Sequence, residues 1–297
     1  MTQPLDHKAL IASLTPETRR MLCGQSDGPG LARIGIQLGL IGGLGTYIQA
    51  GLPLWQAALL PQGLLIVFLF TALHETIHGT AFRTRWLNTV AAHICGLAVL
   101  VAPRHLRYFH MAHHRFTHDP DNDPELSAPK PATSWQYLKH LSGLPEWARR
   151  IRTFFAVAIA PERDAFVPAR ARRRVQAEAV MFVLLYGATL TAFWPVLLWS
   201  WLIPLLIGGP FLRAYLLAEH ALCPHVANML ANTRTTFTNR AVRWLAWNMP
   251  YHAEHHAYPA VPFHKLPVFH SLARAHLCET EKGYTRFNKR YLETIEA

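Results

Sequence analysis

The sequence predicts an all-α integral membrane protein. Charged residues make up 16% of the 297-residue chain, whereas soluble domains carry about 25%. No Lys, Arg, Asp or Glu occurs from Ile34 to Leu73 or from Ala179 to Leu212. Each of these stretches is long enough for two crossings of about 20 residues. We therefore expect four transmembrane helices, arranged as two pairs.

The first pair is expected at about residues 31–50 and 53–73, after a polar cytoplasmic N-terminal lead at residues 1–30 with a short helix at Pro16–Cys23. The lead has no signal-peptide pattern, so the first span is expected to direct its own insertion. Gly35, Gly39 and Gly43 recur every four residues in this span. They indicate either close helix packing in the membrane or simple tolerance of glycine in lipid.

The second pair is expected at about residues 176–196 and 197–219, with Trp194, Trp199 and Trp201 near the junction. Clustered tryptophan is typical of a membrane interface. Between the two pairs, residues 87–102 are apolar but short for a crossing. Stretches of that length often lie at the membrane surface, and we expect an interfacial helix there.

The distribution of basic residues predicts the orientation. The formal net charge is +11, and the basic segments are residues 1–33, 103–175 and 221–297, whereas the loops near 51–53 and 194–197 are uncharged. Basic segments beside spans are typical of the cytoplasmic side, so both termini are expected there. The arginine run at residues 170–174 directly precedes an apolar span, which favours lipid head groups over nucleic acid as its partner. Four scattered cysteines indicate no disulfide framework.

Histidine clusters are the main chemical signal. Residues 74–78 read HETIH, 110–114 read HMAHH and 252–256 read HAEHH, and one further histidine stands alone at the end of an apolar run. Histidines spaced by three or four residues project from the same face of a helix. The predicted topology places all of them on the cytoplasmic side. We therefore expect a helical cytosolic cap that holds a metal site.

The number of histidines predicts two metal ions. A zinc site takes about four ligands, whereas nine imidazoles suit two ions with room for oxygen or water, and open imidazole-rich sites suit iron. The predicted ligands of this di-metal site are His74, His78, His110, His113, His114, His220, His252, His255 and His256.

Seven neighbouring residues are candidates for supporting these ligands. Carboxylates often orient metal-bound imidazoles, although such acids also cap helices or face solvent. Asn248 lies four residues before His252 and is expected either to hold a metal-bound water or to cap a helix. The residues that follow the second cluster belong to an outer layer of the site or to a plain loop. The seven candidates are Glu75, Glu219, Asn248, Glu254, His118, Asp119 and Asp123.

The three clusters resemble the HxxxH, HxxHH and HxxHH boxes of membrane fatty acid desaturases and hydroxylases, and the chain is similar to bacterial-type fatty acid desaturases. The segment Asn248–His252 with Tyr258-Pro259 is similar to the NxxYHxEHHxxP stretch of that superfamily. The resemblance covers about residues 31–270 and leaves residues 271–297 as a cytoplasmic C-terminal tail. It implies a lipid or acyl substrate in a bacterial inner membrane.

The resemblance also implies two iron ions, dioxygen as co-substrate and an external electron donor of the ferredoxin or rubredoxin type. No HPGG motif of cytochrome b5 occurs, so we expect no fused donor domain. Desaturation is favoured over the alternatives within the superfamily, which are hydroxylation or ketolation of an alkane, a lipid or a carotenoid.

Two other interpretations come from different classes of protein. HETIH is also an HExxH motif, in which the glutamate of a zinc metalloprotease acts as general base. One zinc ion would leave most of the clustered histidines unexplained. A haem or metal carrier is the second alternative, but transmembrane haem proteins place paired histidines inside their spans.

Overall fold

The computed structural model describes residues 4–296, and these residues are mostly helical, as predicted. The α-helices are α1 (His7–Ser13), α2 (Pro16–Cys23), α3 (Gly28–Gln49), α4 (Trp55–Val67), α5 (Leu69–His78), α6 (Arg85–Ala98), α7 (Pro103–Phe116), α8 (Ser134–Leu141), α9 (Leu144–Ile159), α10 (Ala169–Leu197), α11 (Ile203–His220), α12 (Met229–Asn232), α13 (Arg240–Leu245), α14 (His252–Ala257), α15 (Leu266–Ala273) and α16 (Tyr284–Glu296). Short 3-10 turns lie at Pro124–Ser127 and Phe263–Lys265, and a π-helical turn lies at Leu198–Leu202.

Three helical runs within residues 4–296 are long and apolar enough to cross a membrane, namely Pro16–Gln49, Trp55–His78 and Ala169–His220. The number becomes four if α6 and α7, which are bent by 100° at their junction, form one broken span. The expected interfacial helix at residues 87–102 corresponds to α6. Its placement at the membrane surface stays a prediction.

The run Ala169–His220 reverses direction. The rings of Tyr186 and Trp201 stack with centroids 6.0 Å apart, whereas 15 residues of straight helix would separate them by about 22 Å. The backbone leaves helical geometry at Phe193, two residues before Pro195. The chain therefore turns sharply near the junction predicted between the third and fourth spans.

Glycine brings α4 and α11 into close contact. A Cβ atom added to Gly63 would lie 2.2 Å from the carbonyl oxygen of Pro204, and one added to Gly208 would lie 2.5 Å from the carbonyl oxygen of Gly63. By contrast, a Cβ at Gly35, Gly39 or Gly43 would meet no heavy atom within 4 Å among the described residues. The predicted glycine stripe of the first span therefore makes no close helix contact within the chain.

A buried amide connects the apolar helices α3 and α4 to the part of the chain that follows α11. Gln37 of α3 is fully buried, donates from Nε2 to the Leu65 carbonyl at 2.9 Å and accepts from Trp247 Nε1 at 3.0 Å. Both ends of the amide are paired, which a buried polar group requires. This contact holds the segment before α14 against the α3–α4 pair.

Residues 4–296 contain two short strands, both in the part of the chain that follows α11. Strand β1 (Thr235–Thr236) pairs in parallel with β2 (Thr280–Glu281). Just before β1, the buried Arg234 donates to the carbonyl oxygens of Ala218 and Ala221 at 2.8 and 2.7 Å. These carbonyls belong to the end of α11, where a cation is favourable.

Both terminal segments pack against the rest of the described chain. Leu10 of α1 and Leu22 of α2 are buried in the main apolar core. In α16, Phe287 and Tyr291 are buried against Leu217 and Ala218 of α11. The division into a lead at residues 1–30, a membrane domain and a tail at residues 271–297 stays a prediction. The outermost residues of the lead and tail, 1–3 and 297, lie outside the described part.

Candidate metal centre

The end of α5 supplies the first two histidines. His74 and His78 lie four residues apart, and their ring centroids are separated by 5.1 Å. The helix ends after His78 at Gly79, whose φ of 80° lies in the left-handed region that favours glycine. Because α4 and α5 continue one another across Phe68, this glycine ends the apolar run just after the second histidine.

Helix α7 presents histidines in two directions. His110 and His114, one turn apart, face each other with Nε2 atoms 2.9 Å apart. His113 points elsewhere, and its Nε2 lies 3.1 Å from Nε2 of His220 at the end of α11. Helix α7 therefore directs His110 and His114 to one histidine group and His113 to another.

The six-residue helix α14 completes both sites. All six of its residues are buried. His255 Nε2 lies 3.2 Å from His78 Nε2, and His252 Nε2 lies 3.2 Å from His220 Nε2. His256 stacks on His114 with ring centroids 4.0 Å apart, so the two sites adjoin.

The structure brings all nine predicted ligands together, in two groups. His74, His78, His110, His114 and His255 form the first group, and His113, His220 and His256 form the second, with candidate ligand atoms within 4.8 Å of one another in each. His252 extends the second group through its contact with His220. The arrangement is thus five imidazoles beside four.

The geometry fits metal binding. With metal–nitrogen bonds of about 2.1 Å, as imidazole makes to zinc, adjacent ligands of an octahedron lie about 3.0 Å apart. The four Nε2 pairs lie at 2.9 to 3.2 Å. Within the described chain, the buried His74 Nε2 and His256 Nε2 have no hydrogen-bond partner. Buried nitrogens without partners are costly unless something binds them.

The electrostatics of α14 favour neutral imidazoles. Burial, reinforced by neighbouring histidines, holds the pKa of His252, His255 and His256 well below the usual range. Metal ligation requires the neutral ring. The histidines of this helix therefore have the protonation state that a metal needs.

Comparison with known proteins identifies a family and several relatives. The fatty acid desaturase family matches residues 51–288, which include all nine histidines. The chain belongs to the fatty acid desaturase family. A sphingolipid delta(4)-desaturase/C4-monooxygenase of Rattus norvegicus is 23% identical over 208 residues, 68% of this chain and 60% of that protein. A sphingolipid delta(4)-desaturase of Drosophila melanogaster is 26% identical over 217 residues, 71% of this chain and 64% of that protein. The chain thus spans less than two thirds of the length of these relatives.

Two of the predicted supporting carboxylates of this desaturase-family chain lie beside histidines of the second group. Asp123 Oδ1 lies 3.0 Å from His113 Nδ1, and both side chains are buried. Glu219 Oε1 lies 3.5 Å from His252 Nδ1, which makes no hydrogen bond within the described chain. Each carboxylate faces Nδ1, so Nε2 remains directed into the second group. Carboxylates in this position orient metal-bound imidazoles.

Three other candidates hold the surrounding loops. Glu75 accepts from the backbone N–H of Phe263 at 3.0 Å, and Asn248 donates to the carbonyl of the same residue at 3.0 Å. Glu254 pairs with His270 and Thr235. Among residues 4–296, no hydrogen bond joins these three side chains to any of the nine histidines.

His118 and Asp119 lie at the edge of the site. The His118 ring is 5.6 Å from that of His220 and 4.7 Å from that of His225. Burial, followed by the charge of His225, lowers its pKa to about 4. Asp119 accepts from the backbone of Asp121 and the amide of Asn122, as expected of a plain loop.

Glu125 is a site residue that the sequence reasoning missed. Its Oε2 lies 3.4 Å from His113 Nε2, the nitrogen that faces His220, and its other oxygen pairs with Lys130. It follows Asp123 in the loop after α7, where the side chain of Asp123 accepts from the backbone N–H of Glu125 at 2.9 Å. A second acidic residue two positions after Asp123 was the one sequence feature that indicated Glu125. Periodicity does not predict the conformation of a loop, so it did not place this side chain near His113.

Proposed function

We propose that this chain is an oxygen-dependent di-iron oxidoreductase that desaturates a membrane lipid or acyl chain at an unactivated C–H bond. The convergence of nine histidines into two adjoining buried groups carries the proposal. Membership of the fatty acid desaturase family and the desaturase names of the relatives support it. Dioxygen is the proposed oxidant, and electrons are proposed to come from a ferredoxin- or rubredoxin-type protein.

The two groups have separate roles in binding. His74, His78, His110, His114 and His255 would hold one iron, and His113, His220, His252 and His256 would hold the other. Two irons so held would supply the oxygen chemistry that removes hydrogen from carbon. Asp123, which is within hydrogen-bond distance of His113 Nδ1, would orient that imidazole of the second group, and Glu219 lies beside His252. Burial of α14 keeps bulk water away from the reacting carbon.

Hydroxylation is the second candidate. One relative is named both a desaturase and a C4-monooxygenase, and both outcomes begin with removal of hydrogen from the same kind of C–H bond. They differ through placement of the substrate on a scale of about 1 Å. Mass spectrometry separates them, because desaturation removes two hydrogens and hydroxylation adds one oxygen. A ketolase is the remaining alternative within the superfamily.

The grouping of the histidines argues against the zinc metalloprotease interpretation of HETIH. The two histidines of this motif join three others in one group, whereas a zinc site takes about four ligands. A haem carrier would show a strong Soret band, which we do not expect.

The proposal includes a topology. We propose spans at about residues 31–50, 53–73, 176–196 and 197–219 in a membrane domain of residues 31–270, with both termini and the metal site on the cytoplasmic side of a bacterial inner membrane. The basic segments support this orientation. The same charge would attract an acidic electron-donor protein.

The test measures metal and product together. The full chain is expressed in bacterial membranes, iron and zinc are measured in the purified protein, and the lipids of the cells are profiled by mass spectrometry. We expect about two irons per chain and new lipids lighter by two hydrogens. His255→Ala should abolish the product, whereas His276→Ala, outside both groups, should retain it. One zinc without iron, or an unchanged lipid inventory, would overturn the proposal.

A further inference from the structure

A cavity of about 530 Å³ opens beside the first histidine group. It is formed where the end of α5, the start of α6 and the start of α7 meet, and His78 is part of its wall. Binding sites for small ligands commonly have volumes of about 300 to 1,000 Å³. A molecule in this cavity would therefore lie directly against one of the proposed iron ligands.

The charged side chains that line this cavity are all arginines, namely Arg83, Arg85, Arg104 and Arg107. One carboxylate lies next to two lining residues, since Glu178 is 3.6 Å from Nε of Arg104 and 2.8 Å from Nε2 of His93. The charge of Arg83 also acts on Asp27, whose pKa is lowered first by hydrogen bonds from Thr84 and then by this charge. Across residues 4–296, no ion pair or side-chain hydrogen bond involves Arg83, Arg85 or Arg107. Three guanidinium groups are thus available to a ligand.

These arginines differ from most other basic residues of the chain because they line a concave surface. Arginines that face lipid head groups beside a span need only be exposed. Here four of them converge on one cavity, which also offers the hydrogen-bonding side chains of Asn88 and Thr89. Guanidinium groups bind carboxylate and phosphate in paired hydrogen bonds, so the ligand that fits is an anion.

We infer that this cavity binds the anionic head of the substrate, a phosphate or carboxylate group, and so holds the acyl chain beside the first histidine group. The inference rests on the proposed function, because it assigns the substrate class of that same site. It separates this chain's substrate from a neutral lipid. A membrane phospholipid and a soluble acyl thioester both carry phosphate, so the test must distinguish these two sources.

The test uses the full chain in a non-ionic detergent and measures binding calorimetrically. The probes are dihexanoyl phosphatidylglycerol, which is an anionic phospholipid, its phosphatidylcholine counterpart, a neutral short-chain dihydroceramide, and coenzyme A as a soluble phosphate source. We expect at least one anionic probe to bind about tenfold more tightly than the phosphatidylcholine and the dihydroceramide. Added salt should weaken that binding, because the arginines are partly exposed. Preference for phosphatidylglycerol would identify a lipid head group, and preference for coenzyme A would identify a thioester.

Substitutions locate the binding. Arg83→Gln and Arg107→Gln should each weaken the anionic probe about fivefold to tenfold, and Arg107→Lys, which keeps the charge, should weaken it less. Arg274→Gln, at an exposed arginine that does not line the cavity, is the matched control. Equal affinity for charged and uncharged probes, or equal effects of Arg107→Gln and Arg274→Gln, would overturn the inference.

The outcome is independent of the iron chemistry. A chain that holds two irons and oxidises lipids without any preference for anions would overturn this inference and leave the proposed function standing. A chain that binds the anionic probe through these arginines but yields no oxidised lipid would overturn the proposed function alone.

Discussion

His113 Nδ1 lies 3.0 Å from Oδ1 of Asp123, with both side chains buried. This contact leaves the opposite nitrogen of the ring, Nε2, facing His220 at 3.1 Å. The carboxylate therefore decides which nitrogen of His113 is available to a metal. It also accepts from the backbone N–H of His118 at 2.9 Å, so the same side chain shapes the loop after α7.

Asp123→Asn should weaken metal binding at the second histidine group. The substitution removes the charge that orients His113, and loss of such a partner typically lowers metal affinity about 10–100-fold. Iron retained after dialysis against graded chelator concentrations measures this. Asp121→Asn, at an exposed residue of the same loop, is the matched control. Equal iron retention by the two variants would show that Asp123 has no part in the site.

Glu125→Gln should change one metal environment and leave the other unaltered. The Glu125 carboxylate faces His113 Nε2 in the second group, at 3.4 Å, and the first group is formed by other histidines. Mössbauer spectra of iron-57-loaded protein resolve the two irons. We expect one of the two signals to shift, whereas the exposed Glu293→Gln should shift neither. Identical spectra for Glu125→Gln and the unaltered chain would remove this carboxylate from the site.

Gly63→Ala and Gly208→Ala should each destabilise the protein by about 1–3 kcal/mol, the usual cost of overpacking a well-packed contact. The added methyl groups would meet backbone atoms at 2.2 and 2.5 Å, which cannot rotate away. Gly39→Ala is the control, because open space surrounds that position. Unfolding in mixed micelles measures the difference, and equal midpoints for Gly63→Ala and Gly39→Ala would contradict the prediction.

Arg234→Lys should destabilise the protein and release iron from the second group. The Arg234 side chain is 1% exposed and donates to two carbonyls at the end of α11, next to His220. A lysine cannot reproduce the planar fork of donors, and each buried acceptor left unpaired costs about 1–3 kcal/mol. Thermal unfolding and iron content measure the two effects. Arg240→Lys, at an exposed residue, should alter neither.

Composition predicted the apolar helices, whereas helices α8, α9 and α16 were not predicted from the sequence. The spacing of four residues correctly predicted that His110 and His114 would face the same way, but the spacing of three wrongly predicted the same of His113. The role of the nine histidines as metal ligands stays a prediction. The division into two groups was not predictable, because it depends on how α7 packs against α5, α11 and α14. His113 joins a different group from its neighbour His114 for this reason.

The roles of loop residues and of individual glycines could not be predicted from the sequence. Glu125 reaches the site through a turn that Asp123 stabilises, and no periodic pattern predicts such a turn. The stripe at Gly35, Gly39 and Gly43 was visible in the sequence but has open space around it, whereas Gly63 and Gly208, which recur in no pattern, make the close contact. A glycine's role depends on which backbone atoms of the facing helix lie against it, and the sequence alone does not show which helices face each other.

The close approach of Gly63 and Gly208 also fixes the register of α4 against α11 along their helix axes. At 1.5 Å per residue, His74 lies about 17 Å along its helical run from Gly63, and His220 lies about 18 Å from Gly208. These two histidines belong to different groups. The contact between Gly63 and Gly208 therefore sets the position of one proposed iron relative to the other along the helices. A slip of one helical turn there would displace one group against the other by about 5.4 Å. We expect the carbon selected for oxidation to depend on two side chains that consist of a single hydrogen atom.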